Sequence, residues 1–148
     1  MLRDVFEELN GWIAQENAER SRDGTLRLKS CCIRVIGQNA LIESGITLSL
    51  AATKDVDVYA DYDYAIQKEF ECLLLKHGKI LDPVGHEAWM PSETRYRSMY
   101  QGDYVHALLA EAVYVLISKA KFAPEKTKNL IVEYLAGDPC DEFFELAG

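Results

Sequence analysis

Thr53-Lys54-Asp55-Val56-Asp57-Val58 alternates polar and apolar residues, and the reading of the whole chain turns on this stretch. A strand repeats every second residue, so Val56 and Val58 face a core while Asp55 and Asp57 share the opposite face. Two carboxylates side by side repel each other, weakly in water and strongly where burial lowers the dielectric. A hard divalent cation takes oxygen ligands and removes that repulsion. The pair is therefore a candidate site for Mg²⁺ or Mn²⁺. An isolated D-x-D equally describes the solvated edge of a half-exposed strand, so the flanking sequence decides between the two.

Upstream, Leu28 to Ile36 is rich in β-branched residues and cysteine and predicts a strand that Gly37 ends; Gln38 to Glu43 predicts a short helix. Gly45 to Thr53 has no clear period. Downstream, Asp61 is the expected N-cap of a helix with Ile66, Phe70, Leu73 and Leu74 inside and Gly78 at its end. Lys79 to Leu81 predicts a short strand, and Pro83, Gly85 and Pro91 mark an irregular loop. Arg95 to Tyr100 and Tyr104 to Leu108 predict a hairpin around Gln101-Gly102-Asp103.

At the N-terminus, Leu2, Val5, Phe6, Leu9, Trp12 and Ile13 recur at helical spacing, and the polar run Asn17 to Gly24 reads as a loop. The last third is helical. Leu109, Val113, Leu116, Ile117 and Ala120 line one helix, Pro124 is expected to open the next, and Gly137 closes it. Asp138-Pro139 is expected to start a terminal helix carrying Phe143 and Phe144. The expectation is one α+β domain over 1–148, with a core of about 28–109 and C-terminal helices over about 110–147. A short mixed sheet is flanked by helices, with the C-terminal helical segment closing a cleft above the aspartates.

The 148 residues carry a net charge of -8, which disfavours non-specific binding to nucleic acid. No apolar run approaches the ~20 residues of a membrane span, and acids interrupt the start of the chain where a signal peptide would be apolar. The four cysteines, Cys31, Cys32, Cys72 and Cys140, form no C-x-x-C pair and suit a cytoplasmic protein with reduced thiols.

A strand ending in Ile36-Gly37, a short helix, and a strand opening with Thr53-Lys54-Asp55-Val56-Asp57 together resemble the nucleotidyltransferase superfamily of polymerase-beta-like fold. The likeness is greatest to its small bacterial members, often uncharacterised or attached to toxin–antitoxin systems. It extends to Leu116-Ile117-Ser118-Lys119-Ala120-Lys121 and Pro124 to Asn129, and covers roughly residues 30 to 136. The resemblance implies that Asp55 and Asp57 ligate the metal and are catalytic. It implies that Gly37 and Gln38 meet a nucleoside triphosphate, and that Lys119, Lys128 and Lys54 offset phosphate charge. Lys54, as the neighbour of Asp55, points to the other face of its strand.

Most active members of the superfamily add a third carboxylate on a neighbouring strand. If Tyr104 to Leu108 is that strand, the place falls near His106, which is not an acid; Asp103 comes too early and Asp82 ends a different strand. Two functions follow from the resemblance. One is transfer of a nucleoside monophosphate to a hydroxyl of an unknown acceptor (small molecule, protein or RNA). The other is a catalytically inactive binding or regulatory module, antitoxin-like. Pairing as a homodimer or with a partner protein is a further expectation, with the N-terminal helix as the surface.

Other candidates have simpler readings beside them. Arg95 and Arg97 share a strand face and could grip a phosphate, or lie on an exposed edge. Trp89, Met90, Tyr96, Tyr100 and Tyr104 could floor a base pocket, or fill a core. Lys119, Lys121, Lys126 and Lys128 could be a solvated helix face; a functional Lys119 must face the aspartates. The three histidines are too scattered for a zinc site.

Overall fold

The computed structural model describes residues 2–50, 52–125, 127–137 and 139–147. Five strands form one open mixed sheet: β1 (Cys31–Ile36), β2 (Asp55–Ala60), β3 (Ile80–Leu81), β4 (Tyr96–Gln101) and β5 (Val105–Ala110), in the order β3-β2-β1-β5-β4. β1 is central, antiparallel to β2 and parallel to β5. β3 adds in parallel outside β2, and β4 antiparallel outside β5.

Alternation sorts the two faces of the sheet. Ile33, Val35, Val56, Val58, Val105 and Ala107 are buried on one face. Asp55, Asp57, Tyr59 and Arg34 fall on the other by the same period. Helix α1 (Leu2–Asp23) covers the apolar face. Tyr100, the register partner of Ala107, meets Arg3 of α1 there. Leu2, Val5, Phe6, Leu9 and Ile13 of α1 are at most 2% exposed, each contributing about 1.5–3 kcal/mol relative to remaining in water. The apolar stripe of α1 is thus spent inside the protein. Phe6 stacks on Phe70 of α3 (Tyr64–Lys76) at 5.7 Å.

The first helix runs through the polar stretch expected to be a loop. Asn17, 3% exposed, explains it: its Nδ2 donates to the Leu28 carbonyl at 3.0 Å and its Oδ1 accepts from the Leu28 N–H at 2.7 Å. That two-way bond satisfies a buried amide and pins the returning chain, while the surrounding charges form a solvated outer face. The expected cap of α3 is also displaced. Asp63 precedes the helix, and Asp61 Oδ1 instead accepts from the Cys32 N–H at 3.0 Å.

Helix α2 (Gly37–Ser44) leaves β1 directly and contacts β1, β2 and β5. Helix α4 (Ala112–Phe122) packs on α2 and on α6 (Asp141–Ala147). Leu109, expected on this helix, lies on β5 opposite Val35. Pro124 does not open the next helix. It sits in a turn, and α5 (Lys128–Ala136) begins after Thr127, whose hydroxyl donates to the Ala123 carbonyl at 2.7 Å. Asp138, expected to start the terminal helix, lies outside the described residues. Among the described residues no helix is long and apolar enough to cross a membrane.

Candidate functional site

The site forms where β1 stops. Gly37 has φ +70°, a left-handed conformation that other residues adopt at a cost, and it turns the strand straight into α2. The antiparallel register sets Ile36 opposite Asp57. A Cβ on Gly37 would lie 2.5 Å from Asp57 Oδ2.

The parallel register pairs Asp55 with Ile80 and Val56 with Leu81. One step further along both strands brings Asp82 beside Asp57, and the Asp82 N–H donates to the Val56 carbonyl at 3.0 Å. Asp82 Oδ1 accepts from the Val84 N–H at 3.0 Å, tightening the chain into a 3-10 turn at Gly85–Glu87. A Cβ on Gly85 would come within 2.6 Å of Asp57 Oδ1 and 2.9 Å of its Cα. The Asp57 carboxyl is therefore held between two backbone segments, each of which has room only for glycine.

Burial first, then hydrogen bonding and charge from Asp82 and the charge of Asp55, push the Asp57 carboxyl up to about 6, while Lys119 pulls it down. Asp57 Oδ1, the oxygen facing Gly85, is buried without a hydrogen-bond partner. A buried oxygen without a donor is unfavourable. A divalent cation would satisfy it and relieve the repulsion of its neighbours, so the all-oxygen donor set fits Mg²⁺ or Mn²⁺. The set is not closed, however. Among the described residues no group of three or more His, Cys, Asp or Glu side chains is arranged to hold a metal ion.

Asp55, Asp57 and Asp82 form one wall of a cleft of about 550 Å³, with Lys119 of α4 also lining it. Gln38 enters from the first turn of α2, Ser49 and Thr53 from the loop before β2, and Thr127 and Asn129 from the start of α5. Glu133 ties that last wall to the loop, its Oε1 accepting from the Ser49 N–H at 2.9 Å and Oγ at 3.2 Å. The lining combines acids, a lysine and several hydroxyl and amide groups, so the cleft is polar throughout most of its wall.

Several expectations meet in this cleft: Asp55, Asp57, Gln38 and Lys119 line it, and Gly37 backs Asp57. Lys54 and Lys128 are exposed and do not line it. His106 bonds Ser98 Oγ at 3.2 Å and lines a separate hollow with Cys32 and Asp61, at the far end of β1. Arg95 pairs with Glu111 and Glu142, each at 3.3 Å, and Arg97 donates to the Ser44 carbonyl. Trp89 rests on Phe122, Tyr96 lies under Arg34 and Tyr100 under Arg3. None of these aromatic side chains lines the cleft.

Sequence reasoning missed four supports. Asp82 follows β3, whose two residues carry no signal of their pairing with β2, so its place beside Asp57 is not legible from the sequence. Gly85 has no local signal beyond that of a loop glycine. Asn39, 1% exposed, donates to the Asp55 carbonyl at 2.6 Å and accepts from Lys79 Nζ at 3.1 Å. Lys79 Nζ also donates to the Thr53 carbonyl at 2.9 Å, so these two side chains fix the start of β2. An amide beside Ala40 and Leu41 was the available signal for Asn39. No family model matches the chain, and neither does any curated protein or solved structure.

Proposed function

We propose that the cleft binds a nucleoside triphosphate together with Mg²⁺ or Mn²⁺, and that the chain is a nucleotidyltransferase of polymerase-beta-like fold. The observation that carries this reading is Asp57: a carboxyl raised by burial and by two acidic neighbours, with an orphaned oxygen, in a polar cleft also lined by Lys119. The order of strand, glycine, short helix and acid-bearing strand supports the fold assignment.

Asp55 and Asp57 would hold the cation, with Asp82 the nearest further carboxylate. A bound cation supplies charge neutralisation at the phosphate oxygens. Lys119 offsets phosphate charge, and backbone N–H groups at the start of α2, bared by Gly37, donate to a phosphate oxygen. In the transfer, an acceptor hydroxyl oxygen bonds to the α-phosphorus, the bond to the bridging oxygen breaks, pyrophosphate leaves and the proton passes to a base. The acceptor is a small molecule, protein or RNA, in the cytoplasm, where the four thiols stay reduced.

One observation favours the catalytically inactive alternative, antitoxin-like or regulatory: the three acids are not gathered as a metal-holding group. In that case the cleft binds nucleotide without turnover. Thermal melting with ATP, GTP, CTP or UTP and Mg²⁺ tests the shared part. At least one nucleotide should raise the melting temperature, and Asp55→Ala with Asp57→Ala should abolish the shift. No shift with any nucleotide would overturn both versions, and pyrophosphate release separates them.

A further inference from the structure

The residues from Asp82 to Trp89 leave β3, run beside β2 and end against α4. At the β2 end, the Asp82 N–H bonds the Val56 carbonyl, Gly85 presses on Asp57, and the Tyr59 hydroxyl donates to the Ala88 carbonyl. At the α4 end, the Ser118 hydroxyl donates to the Trp89 carbonyl at 2.6 Å. The Trp89 ring lies 4.8 Å from Phe122, with Lys121 Nζ 5.4 Å from its centroid. Ser118, Lys121 and Phe122 are spaced i, i+3 and i+4, so they form one face of α4. That face grips the segment, and Lys119, the next residue round the helix, lines the cleft.

We infer that this segment is a strap that sets the two sides of the cleft against each other, with Gly85 positioning Asp57 and the Ser118–Trp89 bond positioning Lys119. The inference rests on the metal–triphosphate reading of the cleft and assigns separate work to its two ends. At Gly85 any side chain displaces the carboxyl, because the obstruction includes the Asp57 Cα and not merely a side-chain tip. At Ser118 the hydroxyl fixes the rotation of α4. Losing it allows the helix to turn and carry the ammonium of Lys119 away from the phosphates, while the acids stay in place. Neither Gly85 nor Ser118 lines the cleft, so both are positioning residues.

The two ends predict opposite signatures. Binding of Mn²⁺ alone and of inorganic tripolyphosphate with Mn²⁺ is measured for the folded parent, Gly85→Ala, Ser118→Ala and Ser118→Thr. Gly85→Ala should weaken Mn²⁺ binding about tenfold or more. Ser118→Ala should leave Mn²⁺ binding unchanged and weaken tripolyphosphate several-fold, and Ser118→Thr, which keeps the hydroxyl, should restore it. Equal loss of both ligands in Ser118→Ala, or no loss of either, overturns the strap. If the parent binds neither ligand, the metal reading falls, and amide hydrogen exchange decides the strap. Ser118→Ala must then speed exchange at 57–60, at the strap's far end; unchanged exchange there overturns it.

Discussion

Asp57 and Asp82 stand side by side because the Asp82 N–H donates to the Val56 carbonyl at 3.0 Å, continuing the register that pairs Val56 with Leu81. Asp57 lies on β2 and Asp82 directly follows β3, the parallel neighbour of β2. Burial first, and then the neighbouring Asp82 and Asp55, push the Asp57 carboxyl up to about 6 from an ordinary 3.8.

That shift has a stability consequence with a definite sign. Because the folded value lies above the unfolded one, the folded state keeps a proton that the unfolded state has already lost between the two. Stability therefore falls as pH rises from about 3.8 to about 6, and stays lower above that window. Asp57→Asn carries no charge to bury. In metal-free buffer it should melt several degrees above the parent at pH 7.5, a gain that shrinks towards zero near pH 4. Melting curves across this range check it, and a variant less stable than the parent at pH 7.5 contradicts the burial argument.

Gly37→Ala should destabilise the protein by about 1–3 kcal/mol, since the new methyl meets Asp57 and the backbone is left-handed. Part of that loss is the collision with the carboxyl. In an Asp57→Ala background the cost of Gly37→Ala should shrink, measurably in a denaturant double-mutant cycle. Full additivity would show that the two residues do not press on each other.

Lys119→Met should weaken nucleotide binding by about tenfold, near the 1.4 kcal/mol of one charge-assisted contact. Lys54→Met and Lys128→Met should change it little, because both side chains lie outside the cleft. Calorimetric titration with a nucleotide and Mg²⁺ compares the three, and equal losses would point to a diffuse charge effect.

Burial raises the Cys31 thiol to about 12, with the charges of Asp61, Cys32 and Asp63 adding to it. At pH 8 it should resist alkylation in the folded protein, whereas the exposed Cys72 and Cys140 react first. Peptide mapping after brief iodoacetamide treatment reads the order directly.

The strands and helices that turn on periodicity were legible: Val56 and Val58 are buried, Asp55 and Asp57 share the opposite face, and α3 carries the expected inner stripe. What failed depended on single long-range bonds. Nothing local says that Asn17 would bury its amide on Leu28, so a solvated helix face passed for a loop. In the same way, Asp82 joins Asp57 only because β3 pairs with β2, and a strand of two residues carries no signal of its neighbour. The cleft was half legible for the same reason. Asp55, Asp57 and Gln38, and Lys119 through the family resemblance, were expected and line the cleft, whereas Asp82, brought by strand pairing, and Gly85, which presses on Asp57, were not.

In the proposed function Asp55 and Asp57 hold a divalent cation for a nucleoside triphosphate. An electron paramagnetic resonance titration of Mn²⁺, with and without ATP, GTP, CTP or UTP, measures this directly. The account predicts a saturable site in the parent that tightens when at least one nucleotide is present and disappears in Asp55→Asn with Asp57→Asn. No saturable binding in the parent, or binding that survives unchanged in the double variant, would contradict it.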